Sequence, residues 1–356
     1  MSASDVRNMA GRAGRYGFQE IGRAIILANT PFDRARLFHQ YVMAPLESVR
    51  SSFDVSNAST WLLRLLRQVV RVPRADAPSL LINTFGGYVA AMQNPNFVPQ
   101  LRAEVVGLVQ RMLSAGLADE TADGIGLTLL GIACGSSSLS FESCLRLIEA
   151  IRRLGNLQLT PQILLALLQT LHEGDEIYVP TQRKGTAEGR WRNALAAQFD
   201  PVIANELTRF AADQFVYWAR CKKVLMALAW AAGVPMEQIE QTYSISLFFA
   251  VAAGDVRGNA EAARFRLRSI FDIVSTAFPT TAPGAEQMDK FLTQLEFGIP
   301  EEGLFTLALP VQLSRSECVA ILQAGITSVD GLEVLTREEL ARLLPAELVE
   351  RLRPEE

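Results

Sequence analysis

Apolar residues recur every three or four positions along most of the 356-residue chain. In Ser59–Val72, STWLLRLLRQVVRV, arginines stand between the apolar side chains, and Gln100–Leu117 repeats the pattern up to Gly116, a helix-stop signal. A period near 3.6 residues is typical of amphipathic helices. Arg23–Leu27, RAIIL, is instead a short β-branched run that reads as a strand. The sequence therefore predicts a mainly α protein.

Breaks in the helical pattern suggest where units meet. Pro279–Gln287, PTTAPGAEQ, is the best linker, because it is short, rich in proline and followed by a new helical segment. Between Leu80 and Leu130, a helix, a loop with two prolines, a longer helix and short turn-rich segments follow one another. That order suits a winged helix, in which helices precede a small β wing, although short helices joined by loops also occur in other α domains.

Composition and charge narrow the functional classes. Hydrophobic residues make up 49% of the chain, enough for a sizeable core. The net charge of −4 argues against a protein that coats nucleic acid, yet residues 1–75 hold 11 Lys/Arg against 5 Asp/Glu. Two later basic stretches could extend a nucleic-acid track or could be ordinary solvated helix faces. They comprise Arg183, Lys184, Arg190 and Arg192, and then Arg220, Lys222 and Lys223.

The cysteines, the histidines and the length of the apolar runs bear on the cellular compartment and on metal binding. Four separated cysteines without a CxxC pair, and an N-terminus without an apolar signal core, favour a reducing, cytoplasmic location. The longest apolar runs are far shorter than the ~20 residues of a spanning helix, so we expect no membrane segment. With two histidines and no HExxH, no metal site is predicted, and His172–Glu176, HEGDE, reads as a solvated loop.

The segment Gly11–Arg15, GRAGR, carries two arginines three positions apart between glycines. Arginine offers planar bidentate donors and stabilises the charge that develops on a transferring phosphoryl group. Alone the segment is weak evidence, because basic glycine-rich turns recur on exposed loops.

The wider segment Asp5–Leu27 resembles motif VI of superfamily-two helicases, Q-x-x-G-R-x-G-R, and is most similar to the Ski-like branch of DEAD/DEAH-box helicases that includes HelQ-type DNA repair helicases. The resemblance implies that Arg12 and Arg15 are catalytic arginines that reach the γ-phosphate of ATP. It implies nucleotide-binding positions at Asn8, Gly11 and Gly14, with Asn8 where the family usually has glutamine.

The chain contains neither G-x-x-x-x-G-K-[ST] nor DExH. The resemblance therefore implies that ATP and Mg²⁺ are bound only together with a missing N-terminal motor half, in cis or in trans. On this interpretation the chain is the C-terminal portion of a longer helicase, as a fragment, a late-start gene model or one half of a split protein.

Later segments also resemble this family, in the family's domain order. They are Gly126–Gly131, Ala227–Ile245, Gly254–Phe265 and Gly298–Leu344. The implied domains are the end of a second RecA-like motor domain with motif VI and a strand (1–30), a linker and winged helix (31–130), a ratchet-type helical bundle (131–285) and a helix-hairpin-helix element (286–356).

The expected nucleic-acid contacts lie on a helix that starts near Val256. One face of this helix would carry Gly258, Glu261, Phe265, Arg268 and Asp272, with Arg257 and Arg264 beside it. An aromatic ring flanked by arginines can stack a base and hold a phosphate. The family's stacking tryptophan maps onto Phe265 and its arginine onto Gly258, so Arg257 is the candidate substitute. Phe265 could equally belong to the core.

The terminal element has one further candidate contact. In Val311–Glu317, VQLSRSE, Ser314 and Arg315 could meet a phosphate at a helix N-terminus, or Ser314 could simply cap the helix. This end of the chain is acidic, so a protein-contact or autoinhibitory role is equally open.

Three functions compete at this point. The resemblance implies the C-terminal region of an ATP-dependent helicase or translocase that binds single-stranded or forked nucleic acid, DNA in preference to RNA. The alternatives are a non-catalytic nucleic-acid-binding module and a helical protein-interaction module.

Overall fold

Helices dominate the structure, a computed structural model that describes residues 2–13, 23–47, 51 and 57–353. The mainly α prediction is confirmed. The helices are α1 Ala3–Ala10, α2 Pro31–Leu37, α3 Ala58–Leu66, α4 Ala77–Ile82, α5 Phe85–Gln93, α6 Phe97–Ser114, α7 Leu129–Ser136, α8 Phe141–Leu154, α9 Pro161–Leu168, α10 His172–Asp175, α11 Arg190–Ala196, α12 Pro201–Thr208, α13 Gln214–Ala231, α14 Met236–Tyr243, α15 Ala253–Ala277, α16 Ala285–Phe297, α17 Arg315–Gln323, α18 Val329–Glu333, α19 Arg337–Leu343 and α20 Ala346–Leu352.

The N-terminal helix α1 is fixed by polar contacts at its start. The Glu47 carboxylate accepts hydrogen bonds from the Ala3 and Ser4 amides at 2.7 and 2.9 Å and another from the Ser4 hydroxyl. The hydroxyl bond is the largest cause, and the backbone bonds add to it, in lowering the pKa of Glu47 to about 2. Arg7 donates to the Ala44 carbonyl at 2.6 Å. Arg23–Leu27, where a strand is expected, pairs with no described segment, and because a strand requires a hydrogen-bonded neighbour this expectation stays a prediction.

A β-hairpin follows α6, in the stretch where the sequence analysis expected a wing. Strands β1 Ala118–Thr121 and β2 Gly124–Leu127 are antiparallel, with Ala118 opposite Leu127. Val72, far upstream, bridges to Ile125 through amide-to-carbonyl bonds of 3.0 and 2.8 Å. The bridge ties the segment after α3 to the buried side of the hairpin.

Close helix packing behind the hairpin depends on glycine. A Cβ added at Gly87 of α5 would collide with the backbone carbonyl of Leu81 in α4. Because glycine has no side chain, α5 can lie directly against α4.

One apolar core runs from α3 to α16, and α13 and α15 lie at its centre. Trp191, Trp218 and Trp230 are buried in or beside it. A separate small core around Ile321 and Leu340 holds the terminal helices α17 to α20 together.

The basic stretch in α13 is not a surface track, which corrects one of the sequence-based alternatives. Arg220 is fully buried and forms a bidentate pair with Asp175 at 2.8 and 2.6 Å. Lys222 and Lys223 are also buried and donate to backbone carbonyls of the 174–180 segment at 2.5 Å. These cations therefore anchor that segment to α13.

The loop expected at His172–Glu176 is also wrong, because the segment forms the helical turn α10 with Glu173 buried. All four cysteines are buried free thiols. Among the residues described, no helix combines the length and apolarity needed to cross a membrane.

Candidate nucleic-acid interface

Helix α15 divides sharply into a buried and an exposed face. Val256, Asn259, Ala263, Leu267 and Ile270 belong to the buried stripe. The Asp255 carboxylate accepts from the Ala252 amide at 2.9 Å and so fixes the start of the helix. The other face is exposed and carries Arg257, Gly258, Glu261, Phe265, Arg268 and Asp272.

Phe265 is the central feature of that face. Its side chain is 66% exposed, so the interpretation of Phe265 as a core residue is wrong. It lines a groove of about 690 Å³ between α15, α16 and the turn after α7, which we call the α15 groove. The lining residues are Ser136, Ser137, Ser138, Arg264, Phe265, Arg268, Ser269, Asp272 and Leu292.

The two arginines beside Phe265 are paired with α16. Arg264 donates to Glu296 at 3.0 Å and Arg268 donates to Asp289 at 2.5 Å. All four side chains are substantially exposed, and such surface pairs contribute only about 0–1 kcal/mol to stability. Both guanidinium groups can therefore exchange a carboxylate for a phosphate at little cost.

The opposite end of the face lacks a second aromatic but keeps a cation. A Cβ at Gly258 would meet no atom within 4 Å, so the fold does not require glycine there. Arg257 is exposed next to it, and its charge is the second cause, after burial, of the lowered pKa of Arg315, about 10.

Arg315, the candidate contact in the terminal element, has a structural role. Its Nε donates to the Gly298 carbonyl at 2.7 Å and its Nη2 to the Val234 carbonyl at 2.7 Å. Its guanidinium lies 4.2 Å from the centroid of the Trp230 ring. Arg315 thus joins α17 to the ends of α13 and α16 through its Nε and Nη2 donors. Ser314 is the N-cap of α17, through a capping box with Glu317.

The motif VI residues fall partly outside the described ranges. Asn8 lies on α1, and Gly11 and Arg12 follow it, all three exposed. Gly11 has a helical φ of −64°, so its backbone conformation does not require glycine. Gly14 and Arg15 are not among the described residues, so the spacing of the two arginines is known from sequence alone.

Sequence reasoning missed the other walls of the α15 groove. No sequence signal marks Ser138, yet its backbone amide donates to the Ser269 hydroxyl oxygen at 3.0 Å, across 131 positions. In sequence, Asp289 and Glu296 resemble the carboxylates of an ordinary solvated helix face. No local pattern connects these residues with α15.

No family model matches the chain. The chain is 28% identical over 356 residues to the ATP-dependent DNA helicase Hel308 of Pyrobaculum calidifontis, covering 95% of this chain and 44% of the relative. It is 20% identical over 346 residues to the ATP-dependent DNA helicase Hel308 of Caldivirga maquilingensis, with the same coverage. The chain thus spans less than half the length of these curated relatives. The matched region is the C-terminal part of the relatives, which supports a helicase C-terminal region.

Proposed function

We propose that the chain is the C-terminal region of an ATP-dependent DNA helicase and that it binds single-stranded or forked DNA along α15. The observation that carries this is the exposed Phe265 between Arg264 and Arg268, on a helix whose other face is buried. The similarity to two relatives described as DNA helicases, over 95% of this chain, supports the same conclusion.

In this function a base stacks on Phe265 while Arg264 and Arg268 leave their α16 carboxylates for neighbouring phosphates. Stacking on an aromatic side chain contributes about 1–3 kcal/mol per base and tolerates any sequence. The site is therefore suited to a strand that moves past it rather than to one fixed sequence.

The proposal includes the domain order implied by the resemblance: the end of a RecA-like domain, a winged helix, a ratchet-type bundle and a helix-hairpin-helix element. The hairpin after α6 supports the winged helix. The second core around α17 to α20 supports a separate terminal element. The HelQ-type branch rests on the motif VI resemblance.

ATP and Mg²⁺ enter the proposal only with a first motor domain that carries the phosphate-binding loop and DExH. Arg12 is exposed after α1, where a nucleotide held by another domain could meet it. Together with Arg15 it would stabilise charge on the transferring phosphoryl group.

The DNA-binding part is tested with a fluorescent oligo-dT followed by anisotropy. We expect Phe265→Ala to weaken binding by about 5-fold or more, because it removes one stacking platform. Tyr88→Ala, which removes an equally exposed ring from α5, is the matched control and should bind as the wild type does. Equal affinities for the wild type and Phe265→Ala would refute the α15 interface.

The motor part needs a separate assay. With the motor half supplied in trans, DNA-stimulated ATP hydrolysis should appear and should be lost in Arg12→Ala and Arg15→Ala. Full hydrolysis by the double variant would remove both arginines from the catalytic assignment.

A further inference from the structure

A second groove in the bundle shares no lining residue with the α15 groove. It has a volume of about 460 Å³ and is bordered by the 175–183 segment, the turn at Phe210, the first half of α13 and Phe249. Four aromatic side chains line it: Tyr178, Phe210, Phe215 and Phe249. We call it the aromatic groove.

Two of these rings are presented to solvent rather than packed away. Tyr178 is 73% exposed and Phe210 is 56% exposed. Among the described residues, Phe210 is the one non-glycine residue with a positive φ, 57°. A bulky side chain rarely adopts this conformation, and the partial burial of the Phe210 ring contributes little stabilisation to offset its cost. The fold therefore holds the Phe210 ring at the surface at a conformational cost.

Charge indicates what kind of molecule this groove takes. The exposed Arg183 lines it, and the Arg146 guanidinium lies 4.6 Å from the centroid of the Phe210 ring. Of the two carboxylates at the groove, Asp175 is paired with Arg220 at 2.6 Å, and Glu176 lies 3.3 Å from the His172 imidazole. Aromatic platforms next to cations suit a ligand that is both planar and anionic, as single-stranded nucleic acid is.

The groove is built on the same rigid unit as the α15 face. Lys223, which lines the groove, accepts a 2.9 Å hydrogen bond at its backbone carbonyl from the buried Asn259 of α15. Separating a duplex produces two single strands, and a second platform on the same bundle can hold one of them apart from the other.

We propose that the aromatic groove is a second binding site for single-stranded nucleic acid, in which a base stacks on Tyr178 and Phe210 and Arg183 contacts a neighbouring phosphate. This inference rests on the proposed function, because it assumes that another stretch of strand binds along α15. The two sites make different predictions for the same measurement.

The test counts how many short oligonucleotides bind to the full chain. Oligo-dT of about six nucleotides, within the usual range for a single stacking site, is titrated by calorimetry. The wild type should bind at two sites. Tyr178→Ala and Arg183→Ala should each weaken the groove site by about 5-fold or more, and together leave the α15 site alone. Tyr178→Phe keeps the ring and should behave as the wild type.

Stability and specificity are controlled in the same series. Tyr178 and Arg183 are exposed, so both variants should unfold at the wild-type temperature, and Tyr88→Ala should leave both sites intact. If the wild type binds at one site only, and that site is lost in Phe265→Ala but unchanged in Tyr178→Ala, the aromatic groove is not a binding site and the proposed function still stands. No binding by the wild type at low salt would overturn both. One site lost in Tyr178→Ala but not in Phe265→Ala would support the groove and contradict the α15 interface.

Discussion

Replacing Arg315 with methionine separates a structural role from a nucleic-acid contact. In the structure Arg315 donates two 2.7 Å hydrogen bonds to carbonyls at the ends of α16 and α13 and stacks on Trp230. Methionine fills similar space and keeps part of the stacking contact, but it donates no hydrogen bond. The substitution therefore removes the polar link between α17 and the bundle.

The magnitude follows from the two bonds. A hydrogen bond from a charged group contributes about 1.5–3 kcal/mol, and water can reach part of this half-buried junction, so we expect Arg315→Met to cost about 2–4 kcal/mol. Urea unfolding measures the loss. Amide hydrogen exchange locates it, because the α17 amides should exchange about 30- to 1,000-fold faster if α17 opens by that much.

Arg257→Met is the matched control, since it removes an exposed arginine near the same junction and should change stability by less than about 0.5 kcal/mol. Affinity for oligo-dT should be unchanged in Arg315→Met. Unchanged stability together with a fall in affinity of about 5-fold or more would refute the structural role and restore Arg315 as a phosphate contact.

Three further variants test the packing and charge arguments. Burial lowers the pKa of Lys223 to about 8, so between about pH 8 and 10.5 the unfolded chain binds more protons than the folded one. Across that interval the unfolding free energy of the wild type should rise relative to that of Lys223→Met, by up to about 1.4 kcal/mol per pH unit. If the two proteins show the same dependence of unfolding free energy on pH, the lowered pKa of Lys223 is contradicted. Gly87→Ala should destabilise the protein by about 1–3 kcal/mol, because its Cβ would collide with the Leu81 carbonyl. Gly107→Ala on α6, whose Cβ would lie in open space, is the control and should stabilise the protein by about 0.5–1 kcal/mol. Urea midpoints of the two variants that shift in the same direction would contradict this packing argument. Glu296→Gln with Asp289→Asn should free Arg264 and Arg268 and raise oligo-dT affinity about 2- to 5-fold at low salt, an effect that fades as salt screens the charges. Glu286→Gln, on the same helix but paired with Lys290, is its control, and an equal gain there would show a general charge effect.

Local periodicity was sufficient to group the residues of one α15 face, although not to predict that Phe265 is exposed. The 3.6-residue repeat places Phe265, Arg268 and Asp272 together because all three lie on one helix, and the structure exposes each of them. The same holds for the Ser314 cap, whose partner Glu317 is three residues away. Such features depend on neighbours in sequence.

The roles of the buried cations could not be predicted in this way. Arg220 pairs with Asp175, 45 positions upstream, and Arg315 donates to Val234, 81 positions upstream. In sequence these residues look like solvated charges, because nothing local shows that a carbonyl or carboxylate will be brought to them. The strand expected at Arg23–Leu27 likewise depends on a neighbour that its own sequence does not specify.

The most direct test of the account is the salt dependence of oligo-dT binding by the chain. If Arg257, Arg264 and Arg268 each meet a phosphate, the logarithm of the binding constant should fall with the logarithm of salt concentration with a slope of about −2. Arg268→Ala should make that slope shallower by about 0.7, while Phe265→Ala should weaken binding and leave the slope unchanged. Undetectable binding at low salt, or a slope that Arg268→Ala does not change, would contradict a nucleic-acid interface on α15.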